Sequence, residues 1–236
     1  AACKTAMKQG QVIVLNDPRG NSDSPNGQKY RVKKMPDGNI WMIDNLKLGS
    51  TTSTTALTPA DTNITTNYTL PIIGVNNNVD LKSFEYCASN GKAWTGGSFT
   101  GCGYLYNWNT AMAGTVSNSG YSLAPYGWSM PKKFSDITYD GLIDSMVAQA
   151  SNSAGKRNPV YSALNYLNWS HINSSFDGTY SGHCSGTPEH QGSTGYPWYN
   201  TEANAAGSYS MWFTQGVIEF QSGYPKTDGR SIRAAL

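Results

Sequence analysis

The chain has 236 residues, of which 38% are hydrophobic, 12% aromatic and only 14% charged. Its formal net charge is +2, and its Lys and Arg residues form no cluster, which argues against a nucleic-acid partner. No stretch approaches the ~20 apolar residues of a membrane span, so we expect no membrane insertion in this segment.

Residues 1–29 predict a lead-in of one helix and one strand. The opening "CKTAMKQG" favours a short helix that ends at Gly10, and "QVIVL" follows as a strand. The next two β-prone runs, "QKYRVKKM" and "NIWMIDNL", flank the turn signal "PDG". We therefore expect a β-hairpin there.

The middle of the chain combines two long insertions with one helix. Residues 49–80 and 165–200 are polar and irregular, and we expect both to be long loops. Between them, "SDITYDGLIDSMVAQAS" predicts an amphipathic helix that Ser135 or Asp136 caps. Its apolar residues recur at helical spacing and are expected to face the core.

The C-terminal part predicts strands again. "YSMWFTQ" and "VIEFQ" flank Gly216 as a hairpin, and "GRSIRAAL" reads as a last strand. Strands near both ends suggest that the termini meet in one sheet. Because there is no internal repeat and no linker, we expect residues 1–236 to form a single domain.

Four cysteines leave three disulfide pairings open: Cys3, Cys87, Cys102 and Cys184. We favour Cys87–Cys102 with Cys3–Cys184, because closing the short Gly-rich loop between near neighbours costs the least entropy. Two disulfides fit an oxidising, extracellular compartment. The alternative is four buried thiols in a cytosolic protein.

Several motifs follow one another in a specific order. They are "YRVKKMPDGNIWMIDNLKL", "GYLYNWNTAMA" with "APYGWSMPKKFSD", and "YPWYNTEANAAGSYSMWF" with "GRSIRAAL". In this order they resemble the Fibrobacter succinogenes major paralogous domain family of secreted and surface-anchored bacterial domains. The chain departs from the family at Ile40, where related sequences often carry cysteine, and this puts the disulfide pairing in doubt.

The resemblance implies an α+β, C-type-lectin-like domain with a small twisted antiparallel sheet, one or two helices and long irregular loops. That family is similar in fold to the formylglycine-generating enzymes. The resemblance also implies an extracellular location, secreted or on the bacterial cell surface. Within this scaffold we expect Tyr104, Tyr106, Trp108 and Trp128 to form an aromatic core.

We expect no enzymatic activity, because the formylglycine-generating enzymes need a cysteine pair near the C-terminal strand and Cys184 stands alone. Ring faces with amide, carboxylate and imidazole groups are typical of carbohydrate sites. The candidate ligand-binding residues are Trp169, His171, Asp177, Tyr180, Trp198 and Tyr199. The competing interpretation is that these rings hold irregular backbone in place.

Calcium is the metal that lectin-like folds often hold, but no ligand set is assigned and no other cofactor is expected. The leading hypothesis is a non-enzymatic extracellular binding module, adhesin-like or pilus-associated. It would present loops to a carbohydrate or a surface protein. The alternative is a structural subunit that self-associates into an extracellular filament or envelope layer. A third hypothesis is a relict of the formylglycine-generating fold with another activity.

Overall fold

The computed structural model describes residues 5–19, 27–35, 38–48, 103–112, 122–131, 181–185, 188–190, 193–213 and 218–236. These ranges are mostly small antiparallel β-sheets with very little helix. They form three sheets, with strand orders β1-β2-β3, β4-β5 and β6-β7-β8. The elements are β1 Val12–Asp17, β2 Gln28–Lys34, β3 Ile40–Met42, α1 Trp108–Ala111, β4 His183–Cys184, β5 Pro188–Glu189, β6 Trp198–Glu202, β7 Gly207–Phe213 and β8 Ile218–Pro225.

This architecture agrees with a β-rich or mixed fold, which is the coarser part of the predicted α+β class. The predicted helix from Ser135 and the insertion 49–80 lie outside the described residues. No helix in the described ranges has the length and apolar character needed to cross a membrane.

The N-terminal sheet confirms the predicted strand and hairpin. β2 pairs antiparallel with β1 on one side and with β3 on the other. Gly38 closes the hairpin turn with φ +81° and donates its N–H to the carbonyl of Met35 at 3.0 Å. A positive φ is costly for residues with a Cβ, which explains glycine in "PDG".

The C-terminal sheet confirms the second predicted hairpin. β7 and β8 pair antiparallel from Phe213↔Ile218 to Gly207↔Pro225, with a register shift between Ser208 and Ser210. β6 pairs with the other edge of β7. The sequence predicted the β7–β8 pair because both runs are β-prone and adjacent.

The irregular loop predicted for residues 165–200 is corrected over its last part. β4 and β5 pair antiparallel there, and β6 begins at Trp198. A strand of two residues is too short to display any hydrophobic period. These strands depend on distant partners instead, as Cys184 and Gly229 exchange backbone hydrogen bonds of 2.9 and 2.8 Å.

The C-terminal segment 229–236 is extended, as predicted, but it forms isolated bridges instead of a continuous strand. Its bridge partners are Tyr106, Trp41, Ser129, Cys184 and Pro197. At its end, Leu236 and Ile40 exchange backbone hydrogen bonds of 2.9 and 3.3 Å. The C-terminus therefore meets the N-terminal sheet, as the sequence suggested.

The aromatic core lies between these sheets. Tyr104, Tyr106 and Trp108 are fully buried, which confirms their predicted role, and Trp128 packs half-buried against them. The Trp108 Nε1–H donates to the carbonyl of Tyr199 at 2.9 Å. Several large rings can be buried together here because their polar atoms form hydrogen bonds with backbone groups.

Candidate functional site

The structure corrects two of the predicted carbohydrate ligands. Trp198 and Tyr199 are both 0% exposed and lie on β6. The Trp198 Nε1–H donates to the carbonyl of Tyr106 at 2.8 Å, which fixes the indole in the core. A ring that stacks on a sugar must offer an accessible face, so neither residue is such a platform. Trp169, His171, Asp177 and Tyr180 lie outside the described residues.

One of the four cysteines, Cys184, lies among the described residues. Cys184 lies on β4 with 5% exposure. Its backbone is tied to Gly229, which places the side chain inside the protein. Cys3, Cys87 and Cys102 lie outside the described residues, so both predicted pairs, Cys87–Cys102 and Cys3–Cys184, stay predictions.

A buried cation lies at the centre of the C-terminal half. The Arg230 guanidinium is 3.5 Å from the ring centroid of Tyr224 and 4.9 Å from those of Tyr196 and Trp198. It pairs with Asp228 at 3.2 Å and has 0% exposure. Burial lowers the pKa of Arg230, and the Asp228 carboxylate opposes that shift. Rings and carboxylate offset only part of the loss of water around this charge, since burial remains the dominant influence on its pKa and the Nε has no hydrogen-bond partner among the described residues.

Beside this cation lies a polar group of side chains that we call the imidazole cluster: His183, Glu189, His190 and Tyr196. The rings of His183 and His190 stack with their centroids 5.5 Å apart. Tyr196 meets His183 edge-on at 4.7 Å. The Glu189 Oε2 lies 3.7 Å from the His183 Nε2, and the Glu189 side chain is 46% exposed.

The pairing of β4 with β5 brings this cluster together. His183 and Glu189 are directly opposite each other in the register, so their side chains share one face. His190 follows β5 immediately, and its carbonyl accepts N–H bonds from Ser193 at 3.1 Å and Thr194 at 3.0 Å. The two histidines are seven positions apart in sequence and meet only because the short hairpin folds back.

Burial and a neighbouring positive charge favour the neutral form of His183, the inner imidazole. Burial lowers the pKa of His183 from its usual 6.5, and the charge of Arg230 lowers it further, whereas Asp228 and Glu189 raise it. The buried Nδ1 of His183 has no hydrogen-bond partner in the described part of the chain. Burial also raises the pKa of Tyr196, so its hydroxyl stays protonated near neutral pH.

His190 has a left-handed backbone conformation with φ +56°, and among the described residues no other non-glycine residue has a positive φ. This conformation is uncommon outside glycine, although histidine is among the residues that adopt it more often. Such outliers cluster at functional sites, where surrounding contacts hold them. His190 is also exposed, so its ring is available to a ligand.

The cluster offers hydrogen-bond donors and acceptors beside ring faces, a combination that suits a polar ligand such as a carbohydrate. In the ranges described, no three His, Cys, Asp or Glu side chains are arranged to hold a metal ion. Sequence reasoning missed the cluster because neither strand displays a period. The signal in hindsight is "GHC" and "PEH" flanking one short turn.

Comparisons with known proteins found no matching family model, no matching curated protein and no matching solved structure.

Proposed function

We propose that this chain is a non-enzymatic extracellular binding module, adhesin-like or pilus-associated, that binds a carbohydrate or a surface partner. One observation carries the proposal: the exposed ring of His190 is held by a left-handed backbone over the ring of His183. Glu189 adds an accessible carboxylate beside them. The motif order described above supports the extracellular setting.

The fully buried groups nearby support a scaffold role. Arg230 contacts three rings and Asp228, and each contact contributes to packing. A charged group held in this way has little freedom to follow a reacting substrate. The accessible members of the imidazole cluster are Glu189 and His190, which are suited to recognition by hydrogen bonds and ring contact.

The experiment is a glycan array followed by calorimetric titration of each oligosaccharide that binds. The informative variant is His190→Gly, because glycine adopts φ +56° without strain and removes the whole side chain. We expect at least a tenfold loss of affinity with an unchanged fold. Lys29→Ala, an exposed change on the N-terminal sheet, is the matched control and should bind as the parent does.

The proposal fails if the array shows no binding to any oligosaccharide and the immobilised chain also retains no protein from a bacterial or host cell surface. It also fails if His190→Gly and Lys29→Ala bind alike, because the ligand would then not contact the imidazole cluster.

A second candidate function is a structural subunit of an extracellular filament or envelope layer. The observation that favours it is an exposed apolar edge: Val12 and Val14 on β1 are 46% and 59% exposed. Light scattering across protein concentration tests this function, since a subunit assembles as its concentration rises and an isolated module stays monomeric.

A further inference from the structure

Among the strands that the structure describes, β1 is the outermost of the N-terminal sheet. The strand order is β1-β2-β3, and the register between β1 and β2 runs unbroken from Val12↔Lys33 to Asp17↔Gln28. The other long side of β1 pairs with no described strand. Its outward side chains, Val12, Val14 and Asn16, are all exposed.

The ladder shows which backbone groups face this open side. In an antiparallel pair, alternate residues point their N–H and C=O towards the neighbouring strand. Lys34 donates to the carbonyl of Gln11 at 3.1 Å, which sets the alternation at that end of β1. Ile13 and Leu15 therefore bond to β2. The N–H and C=O groups of Val12, Val14 and Asn16 point away from the sheet.

The edge lacks the features with which proteins usually prevent edge pairing. Lysine, proline and bulges discourage such pairing, and "VIVLND" contains none of them. Its single charge, Asp17, is buried and paired with Arg19 at 2.7 Å. An incoming strand would thus meet apolar and amide groups without an opposing charge.

We infer that this edge binds the same edge of a second copy of the chain. The inference rests on the second candidate function and names its contact surface. A two-fold axis through Val14 places Val14 opposite Val14 of the second copy and Val12 opposite Asn16 of the second copy. Val12, Val14 and Asn16 of each copy then point their backbone groups at the other copy, and the two sheets join into one sheet of six strands.

Charge and size are consistent with this occupant. The basic residues Lys29 and Lys33 of each copy lie on β2, three strand spacings from β2 of the other copy. This is about 14 Å at ~4.8 Å per spacing, which exceeds the Debye length of about 8 Å in physiological salt. Arg31 is balanced by Asp44 at 2.6 Å.

The size of the contact determines its strength. A single strand edge buries less area than a standard interface of about 1,600 Å², so the association is weak and concentration-dependent.

The first experiment is sedimentation equilibrium from micromolar to millimolar protein. We expect the average mass of the parent chain to rise towards twice the monomer mass. Val14→Pro should stay monomeric, because proline removes the outward N–H and leaves the β1–β2 ladder intact. Val14→Thr keeps that N–H and is the matched control, which should associate within a few-fold of the parent.

A cross-linking experiment tests the register even if Val14→Pro does not fold. Val12→Cys mixed with Asn16→Cys should form a disulfide dimer under mild oxidation, because directly opposed residues have Cα atoms about 5.5 Å apart. Either variant alone should not, since its own cysteines would be offset by four residues, roughly 13 Å. The parent chain under the same conditions gives the background from its native cysteines.

The inference is overturned if the parent chain is monomeric throughout, or if it takes up an extended peptide of another sequence at this edge instead. Cross-linking that is equal in the mixture and in the single variants also overturns it. If Val14→Pro folds and still assembles like the parent, the β1 edge is not the contact surface, while the subunit function stands. If neither the parent chain nor Val14→Pro assembles, the β1 contact and the subunit function both fail.

Discussion

The guanidinium of Arg230 lies 3.5 Å from the ring centroid of Tyr224, and this contact joins the C-terminal segment to β8. The same guanidinium faces Trp198 of β6 at 4.9 Å. The buried guanidinium of Arg230 thus contacts both outer strands of the C-terminal sheet, β6 and β8, from the C-terminal segment 229–236. The position of the imidazole cluster depends on this arrangement, since Tyr196 contacts both Arg230 and His183.

Removing this cation should strongly destabilise the protein. Arg230→Ala leaves Asp228 without its charged partner and opens space among three rings, and breaking a buried pair typically costs about 3–5 kcal/mol. Urea denaturation followed by tryptophan fluorescence measures the change, with Lys29→Ala as an exposed control. A loss as small as that of the control would show that Arg230 is not needed for packing.

Two glycines with positive φ should respond differently to alanine. A Cβ at Gly103 would lie 2.5 Å from the carbonyl oxygen of Leu46, whereas one at Gly127 meets nothing within 4 Å. Gly127→Ala should therefore cost only the conformational strain, about 1 kcal/mol. Gly103→Ala should cost clearly more, because backbone must also move. Equal melting temperatures for the two variants would contradict the packing around Gly103.

Stability should fall as the pH falls below about 6.5, the unfolded pKa of histidine. Burial holds the pKa of His183 below that value in the folded protein, so the unfolded chain binds more protons in this window and stability rises with pH. Urea midpoints at pH 7.5 and pH 5.0 measure the effect. His183→Gln should reduce the difference between them, and an unchanged difference would assign it to other groups.

The Trp198 indole should matter for stability and not for ligand contact. Trp198→Phe removes the indole donor to the Tyr106 carbonyl, which keeps its bond from the Arg230 N–H at 2.9 Å, so the loss of one hydrogen bond costs roughly 0.5–1.5 kcal/mol. A ligand at the imidazole cluster should bind this variant with the affinity of the parent, as long as the protein is folded. A specific loss of binding with normal stability would restore Trp198 as a ligand residue.

Much of the strand pairing was predictable because it is local. "PDG" between two β-prone runs determined the β2–β3 hairpin, and Gly216 between two more indicated β7–β8. β6 escaped detection because its residues are buried on both sides, with Trp198 and Tyr199 in the core where an exposed loop was expected. Ring content alone does not distinguish a core from a binding surface.

The imidazole cluster was beyond local reasoning for a different reason. His183 and Glu189 are opposed by a strand pair only two residues long, which leaves no periodic signal. The position of the cluster also depends on a contact between distant segments, because Cys184, next to His183, exchanges backbone hydrogen bonds with Gly229.

The most direct test of the binding proposal is an NMR titration of the imidazole resonances with an oligosaccharide identified on the array. The chain has three histidines, and His183→Gln and His190→Gly assign two of their signals. We predict that the signals of His183 and His190 shift together and saturate at the calorimetric affinity. Saturable binding that leaves both signals unmoved would contradict the imidazole cluster as the binding site.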